Sequence, residues 1–311
     1  MRRALVLSGG SIKGAFQGGA VCEILKWGFV PDAIYGVSVG SLNGAFVAER
    51  AGRARRNDQN LDWSAIADEL VRFWADNITS PDKVGHKRSG RQVAWNILWN
   101  KFDGFIDTEP LRKLVHDTFD EQNLRESPVY FAAGVVNIAS GRYFDANIGF
   151  PNLLEYIIAG TSIPGTMPVS MVASQPLQDG GIRNVTPIGT AIHDGADDII
   201  CVVCQAENIA AATFNRHNIL QYTERIMDIV INEIVNNDLE WARYINEYCP
   251  RDGRPVSDGP FAGYRYVPIT VIRPAVPPHL DLTNFTAVQI ADLIEVGRFA
   301  ARSELAKRPR P

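Results

Sequence analysis

The sequence predicts an α/β protein built on a mostly parallel, partly mixed sheet covered by helices. Three observations predict it. The apolar run Ala4-Leu5-Val6-Leu7 leads into a glycine-rich loop, residues 8–14, and then into a stretch of helical period. A second apolar run, Ala33-Ile34-Tyr35, ends on Gly36-Val37-Ser38-Val39-Gly40 and passes at once into a helix-like run, residues 42–48. Strand–loop–helix twice in succession makes neighbouring strands parallel, because each crossover helix returns the chain to the same end of the sheet. The third observation is a hairpin: residues 128–136 read as a strand, Ala139-Ser140-Gly141 as a turn, and residues 142–146 as its partner, which makes the sheet mixed.

The elements follow in order. Residues 4–7 are apolar throughout, as in a strand buried on both faces. Residues 15–27 place Phe16, Ala20, Ile24 and Trp27 on one helical face and stop at Gly28. Pro31-Asp32 breaks the chain before the second strand. Ser64 is expected to cap a helix through Asn77 that carries Ile66, Leu70, Phe73 and Trp74. Asp107 is expected to cap another, with Pro110 in its first turn. Residues 153–159 form a short helix, and residues 161–168 a proline-punctuated loop entering 169–172. Gln178-Asp179-Gly180-Gly181 comes next, then a helix over 187–193 and a buried strand over 199–204. A long helix spans 219–248, and its stripe Ile219, Tyr222, Ile226, Ile229, Val230 and Ile234 reads as core-facing. A strand over 266–272, a helix over 286–305 and a frayed tail, 307–311, complete the chain. No internal repeat or clear linker interrupts it, so one domain over residues 1–311 is expected.

Composition narrows the function classes. A net charge of −4 gives no basic character for nucleic acid to meet. None of the five histidines falls in a metal-ligand spacing, and no metal or cofactor is expected. Of the four cysteines, Cys22, Cys201, Cys204 and Cys249, the middle pair mimics Cys-x-x-Cys. It lies inside the strand 199–204, where residues three apart point to opposite faces. Reduced structural thiols are the expectation. Met1-Arg2-Arg3 precedes only four apolar residues, too short for a signal-peptide core. No run approaches the ~18 apolar residues that span a bilayer. A cytoplasmic location is expected.

Three stretches carry chemistry. Ser38 stands in Gly-x-Ser-x-Gly between a strand and a helix, where a sharp turn pushes the hydroxyl into a cleft and small flanking residues let the turn close. It is the candidate nucleophile. Gly9-Gly10-Ser11-Ile12-Lys13-Gly14 follows the first strand, whose carboxyl end faces the same crevice. Its spacing fits neither Gly-x-Gly-x-x-Gly nor Gly-x-x-x-x-Gly-Lys-Ser/Thr, which disfavours a nucleotide. A loop that aims N–H groups at an oxyanion needs no such spacing, only donors ~2.7–3.1 Å from the charge. Lys13 adds positive potential or is an ordinary helix-start lysine. Asp179-Gly180-Gly181 is by itself a turn, but an activated serine needs a proton acceptor within reach. His193 is the rival base, with Asp179 then the orienting acid of a triad.

Together these stretches resemble the patatin-like phospholipases, over residues 4–205. That family combines a glycine-rich loop ending in Lys/Arg-Gly, a Gly-x-Ser-x-Gly elbow and an Asp-Gly-Gly/Ala motif in this order. The segments 107–111 and 164–168 also resemble family segments. The resemblance implies a three-layer α/β/α sandwich and a Ser–Asp dyad without histidine. Ser38 is then the nucleophile, Asp179 the base, and the N–H groups of Gly9, Gly10 and Ser11 the oxyanion hole. It implies hydrolysis of lipid carboxylic esters through an acyl-enzyme, with a lipid as the partner. The usual third glycine of the loop is Ser11 here, where a Cβ disfavours positive φ.

Two other functions share these residues: acyl transfer, in which a bound acceptor replaces water, and non-catalytic binding of a lipid head group or other anion. Residues 78–106 add a separate expectation. Lys83, His86, Lys87, Arg88 and Arg91 precede Trp95, Leu98, Trp99, Phe102 and Phe105. A basic run beside spaced aromatics suits peripheral contact with a membrane or a lid. The bland alternative is a solvated loop and a helix docked on the core.

Overall fold

The structure is a computed structural model that describes residues 1–211, 215, 217–278, 280 and 284–310. Residues 212–214, 216, 279 and 281–283, within the stretch expected to complete the domain, and Pro311 of the expected tail lie outside the described residues.

β1 (Arg3–Leu7) leads through a 3-10 turn into α1 (Gly14–Trp27), and β2 (Ala33–Val37) into α2 (Val39–Arg56) and α3 (Trp63–Asn77). β3 (His86–Lys87), α4 (Gly90–Leu98) and β4 (Ile106–Asp107) come next, with β3 and β4 paired as a separate two-stranded ladder. Then follow α5 (Glu109–Thr118), α6 (Glu121–Arg125), β5 (Tyr130–Asn137), β6 (Tyr143–Asn147), α7 (Leu153–Gly160), β7 (Ser170–Val172) and β8 (Gln175–Asp179). α8 (Ile188–His193), β9 (Asp198–Val202), α9 (Ile219–Tyr248), β10 (Ile269–Ile272) and α10 (Ala287–Leu305) complete the chain.

The main sheet runs β10-β9-β1-β2-β5-β8-β7, with β6 also paired to β5. β10, β9, β1, β2 and β5 are mutually parallel. β6 and β8 run antiparallel to β5, and β7 antiparallel to β8. The parallel strands are apolar on both faces because both are covered. Leu5, Leu7, Ile34, Ile200 and Val202 pack with Phe16, Phe46, Leu70 and Ile294 from the helices on one side. Ala4, Val6, Tyr35, Ile199 and Cys201 pack with Ile188, Val235 and Ala242 on the other. The alternation along β1 and β9 is the two-residue period of a strand, and the result is the expected three-layer α/β/α sandwich with a mostly parallel, mixed sheet.

Three local expectations are corrected. Asp62, not Ser64, caps α3: its Oδ1 accepts from the N–H groups of Ser64 and Ala65 at 2.9 and 3.0 Å. A carboxylate one turn edge earlier meets the helix's positive end better than a hydroxyl already inside the first turn. Asp107 ends β4, and Thr108 is the N-cap of α5, although Asp107 Oδ1 still accepts from Glu109 N–H at 3.1 Å. The largest correction concerns α9. Ile219, Tyr222, Ile226, Ile229 and Val230 are exposed, Ile219 by 53% and Ile229 by 50%. Among its described side chains α9 buries Val235, Ala242 and Ile245, with Ile234 only partly covered. Periodicity finds an apolar stripe but not what lies over it, and here the first half of the helix runs past the sheet core. α4 likewise buries none of its residues, so it is not docked on the core.

All four cysteines are free and buried, and burial pushes the Cys204 thiol up to about 12. Among the described residues, no group of three or more His, Cys, Asp or Glu side chains could hold a metal ion. No helix of the described residues is long and apolar enough to cross a membrane.

Candidate active site

β2 ends at Val37, α2 begins at Val39, and Ser38 makes the whole turn between them, with φ 56° and ψ −129°. A non-glycine residue held there stores roughly 1–3 kcal/mol of backbone strain, which the packing around it must hold. The flanking glycines permit that packing. A Cβ on Gly36 would sit 2.3 Å from the carbonyl oxygen of Gly40, and one on Gly40 would sit 2.1 Å from that of Leu7. The elbow is therefore clamped against the end of β1, beside the glycine-rich loop.

Asp179 ends β8, which is not adjacent to β2: β5 runs between them. Neighbouring strands lie about 4.8 Å apart, so the carboxylate must cross a strand to reach Ser38. Gly134 of β5 provides the passage. It is paired with Val37 in register, and the turn after Asp179 folds over it, so that a Cβ on Gly180 would lie 2.7 Å from the Gly134 carbonyl oxygen. Asp179 Oδ1 accepts from Gly181 N–H at 2.8 Å. Burial pushes the Asp179 carboxyl up to about 6, with the neighbouring Ser38 hydroxyl and the Gly181 N–H pulling it down.

The glycine-rich loop closes the site from β1. Gly9, Gly10, Ser11, Lys13, Ser38 and Asp179 all line one cleft, with Gln205 and, from α9, Met227 and Asp228. The Gly9 N–H, expected as an oxyanion donor, instead donates to the Val185 carbonyl at 3.1 Å. This corrects the expectation of three donors: the β1 end and the segment after the Asp-Gly-Gly turn pack together through that bond. Gly10 and Ser11 N–H have no protein acceptor among the described residues. Ser11 does adopt positive φ, 52°, despite its Cβ. Lys13 Nζ lies 3.3 Å from Asp228 Oδ1 and is only 17% exposed, so its charge is balanced across the cleft.

A second recess opens from Ser38 on the other side. It is lined by Ile12, Val39, Leu42, Trp74, Ile78, Val84, Leu111, Ile163 and Met167 as well as Ser11 and Thr161. Its wall is fixed by a buried polar chain. Trp74 Nε1 donates to Asn43 Oδ1 at 2.7 Å, Asn43 Nδ2 to Gln17 Oε1 at 2.9 Å, and Gln17 Nε2 to the Ser8 carbonyl at 3.2 Å. Ser38 thus lies between this apolar recess and the first cleft, where Lys13, Asp179, Gln205 and Asp228 sit among apolar residues such as Ile182, Val185, Met227, Ile231 and Leu280.

His193 does not join the cleft. It lies at the end of α8 in a separate cavity lined by Tyr143, Thr186, Asp238, Trp241 and Arg265. Sequence reasoning missed Gln205, Gly134 and Asp228. Gln205 was within reach, because it directly follows the strand expected over 199–204, whose carboxyl end neighbours the glycine loop. Nothing in the sequence pairs Gly134 with Asp179. Gln205 is 7% exposed and its Oε1 is buried with no partner among the described residues. An orphaned acceptor of this kind costs roughly 1–3 kcal/mol.

The patatin-like phospholipase family model matches residues 5–192. No curated protein matches the chain. Among solved structures, VipD from Legionella pneumophila is similar with a TM-score of 0.49 at 13% identity, over 98% of this chain and 67% of that one. Human GIVD cytosolic phospholipase A2, in complex with methyl gamma-linolenyl fluorophosphonate and terbium chloride, is similar with a TM-score of 0.44 at 12% identity. That match covers 99% of this chain and 60% of the human one, so the chain spans less than two thirds of its length. The glycine loop, the Ser38 elbow and the Asp179 turn all fall inside the matched span, and the chain belongs to the patatin-like phospholipase family, as a hydrolase of lipid carboxylic esters.

Proposed function

We propose that Ser38 is the nucleophile and Asp179 the base of a lipid acyl hydrolase whose acyl chain lies in the apolar-walled recess and whose alcohol half lies in the cleft that carries Lys13 and Asp228. The observation that carries this reading is the meeting of the strained Ser38 with a buried carboxylate in a cleft also lined by Gly10 and Ser11, whose N–H groups have no acceptor among the described residues. Ser38 Oγ attacks the ester carbonyl and its proton passes to Asp179, while the carbonyl electron pair moves to the oxygen facing Gly10 and Ser11 N–H. The pair returns, the C–O bond to the alcohol breaks, and Asp179 gives its proton to the leaving oxygen. Water then adds to the acyl-enzyme, again losing a proton to Asp179, and the acid leaves as Ser38 regains its hydrogen.

The same reading takes residues 1–311 as one domain, because Gln205, Met227, Asp228 and Leu280 close a cleft begun by residues 9–38. It is tested by covalent labelling with a long-chain fluorophosphonate: wild type should label with loss of activity, and labelling that persists in Ser38→Ala would sink it. Its pH dependence follows from Asp179. The carboxyl must be ionised to accept the proton, so kcat/KM should fall as pH drops through about 6. Asp238 is also pushed up to about 6 by burial but faces the His193 cavity. Asp238→Asn should therefore keep that acid limb, and its loss there would move the base elsewhere.

A lipid surface is the fitting partner for α4 and the residues flanking it. Trp95, Leu98 and Trp99 of α4 and its end are 62%, 74% and 57% exposed, and Lys87 and Arg91 are exposed beside them. Arg88 is not presented, being held by an ion pair with Asp103. The segment joins the site through Phe105 and Ile106 N–H, which donate to the Thr166 carbonyl at 2.8 and 3.0 Å, next to Met167 of the apolar recess. Replacing Trp95 and Trp99 by serine should lower turnover on phosphatidylglycerol vesicles by about tenfold, because the apolar area that a helix buries in the interface adds to the attraction of its basic residues for anionic lipid. Turnover of a soluble short-chain ester should be unchanged. Equal losses on both substrates would assign the helix a structural role.

A further inference from the structure

The Gly9 carbonyl accepts two hydrogen bonds. Ser8 Oγ donates to it at 2.9 Å and Gln205 Nε2 at 3.1 Å. Both donors are buried. The Gly9 carbonyl and the Gly10 N–H belong to one peptide unit, which is planar and trans, so they point in opposite directions. Holding the carbonyl therefore aims the N–H. With two donors on the carbonyl, the unit cannot rotate about its flanking bonds without breaking both.

The neighbouring unit is held in the same way. Gln17 Nε2 holds the Ser8 carbonyl at 3.2 Å, and the Gly9 N–H opposite it donates to Val185. Two successive units are thus fixed, and the N–H of the second, at Gly10 in the cleft that holds Ser38, has no protein acceptor among the described residues. The clamp is itself anchored. Cys204 N–H donates to Ser8 Oγ at 3.0 Å, and Arg273 Nε donates to the Gln205 carbonyl at 3.1 Å.

We infer that Gln205 is a positioning residue for the reaction: its side-chain amide, together with the Ser8 hydroxyl, fixes the Gly9–Gly10 peptide so that the Gly10 N–H is aimed at the developing oxyanion. This rests on the reading of the glycine loop as the oxyanion site. It adds a residue from outside the span matched by the family, residues 5–192. It also gives the buried amide a purpose. Its Oε1 has no partner among the described residues, so an apolar side chain of similar size would suit the packing better.

The test compares wild type with Gln205→Leu and Gln205→Glu. Leucine removes the donor, and glutamate replaces it by an acceptor facing a carbonyl. Removing an oxyanion donor outright costs about 10²–10³ in kcat, and a misaimed one should cost about 10–100-fold. The expected result is that loss in kcat with KM within about threefold. The affinity of an acyl trifluoromethyl ketone, whose adduct with Ser38 carries the oxyanion, should fall by the same factor as kcat. The affinity of the product fatty acid should stay the same, and the thermal midpoint of Gln205→Leu should match or exceed that of wild type. Wild-type kcat in Gln205→Leu overturns the inference. So does a loss in which ketone and fatty-acid affinity fall together, or one that follows a drop in melting temperature. Should Gln205→Leu not accumulate as folded protein, Ser8→Ala removes the other donor and should show the same kinetic split. Ser38→Ala is run alongside: if it still turns over, the reading of the whole site fails, whereas an inactive Ser38→Ala beside a fully active Gln205→Leu overturns the positioning role alone.

Discussion

Asp179→Asn is expected to remove turnover as completely as Ser38→Ala, by about 10⁴-fold or more, and to raise the melting temperature at pH 8. The kinetic half follows from the mechanism. A serine hydroxyl without a proton acceptor is a weak nucleophile, and members of such a unit lose nearly the whole effect when either is removed. Asparagine keeps the size and can still accept from Gly181 N–H, so the loss would report proton transfer rather than collapse. The stability half follows from burial. The folded-state pKa of Asp179 is about 6, against an unfolded value near 3.9. A carboxyl raised on folding contributes stability that is present below the unfolded pKa and is lost as pH rises through the folded one. At pH 8 the carboxylate therefore weighs against folding by roughly 3 kcal/mol, which asparagine removes. Melting curves at pH 8 should show a gain of several degrees, and at pH 4 the gain should vanish. Residual turnover above about a hundredth of wild type in Asp179→Asn, with Ser38→Ala inactive, would place the base elsewhere. His193→Ala should stay active, since His193 lies outside the cleft.

Gly10→Ala is expected to lower kcat by about 10²–10³ with little change in KM, the effect of losing an oxyanion donor. A Cβ at Gly10 would sit 2.2 Å from Cys204 Cβ and 2.7 Å from its Sγ. No side-chain rotation relieves a clash with a Cβ, so the loop must move, and the Gly10 N–H moves with it. The partner of the clash provides the check. Cys204→Gly removes both atoms, and the double variant should recover part of the lost kcat, whereas two independent defects would simply add. No recovery would mean that Gly10 acts through something other than its approach to Cys204.

How far the sequence reached differs between the parts of the site. The strand–loop–helix order was legible because the first two strands are apolar throughout and each runs into a glycine-containing turn before a stretch of helical period. The elbow was legible because its chemistry is written in consecutive residues, whereas the Asp-Gly-Gly stretch, by itself only a turn, was legible through the order it shares with the other two motifs. The stripe on α9 was misread because amphipathicity shows that a helix has an apolar face, not what covers it. Gln205 was passed over because its role lies in a bond to a carbonyl nearly two hundred residues away.

The sequence by itself determined the layered α/β class, the order of the three motifs and the candidate nucleophile. Each depends on local pattern, the two-residue period of strands, the 3.6-residue period of helices and the backbone demands of tight turns. Only the tertiary structure shows how Asp179 comes to lie beside Ser38 and which N–H groups of the glycine loop have no protein acceptor among the described residues. Asp179 reaches the elbow by crossing β5 over Gly134, and Gly9 N–H is taken by Val185 while Gly10 N–H has no protein acceptor among the described residues. Those outcomes turn on strand order and on the direction of single peptide units, which long-range packing sets and no local pattern records.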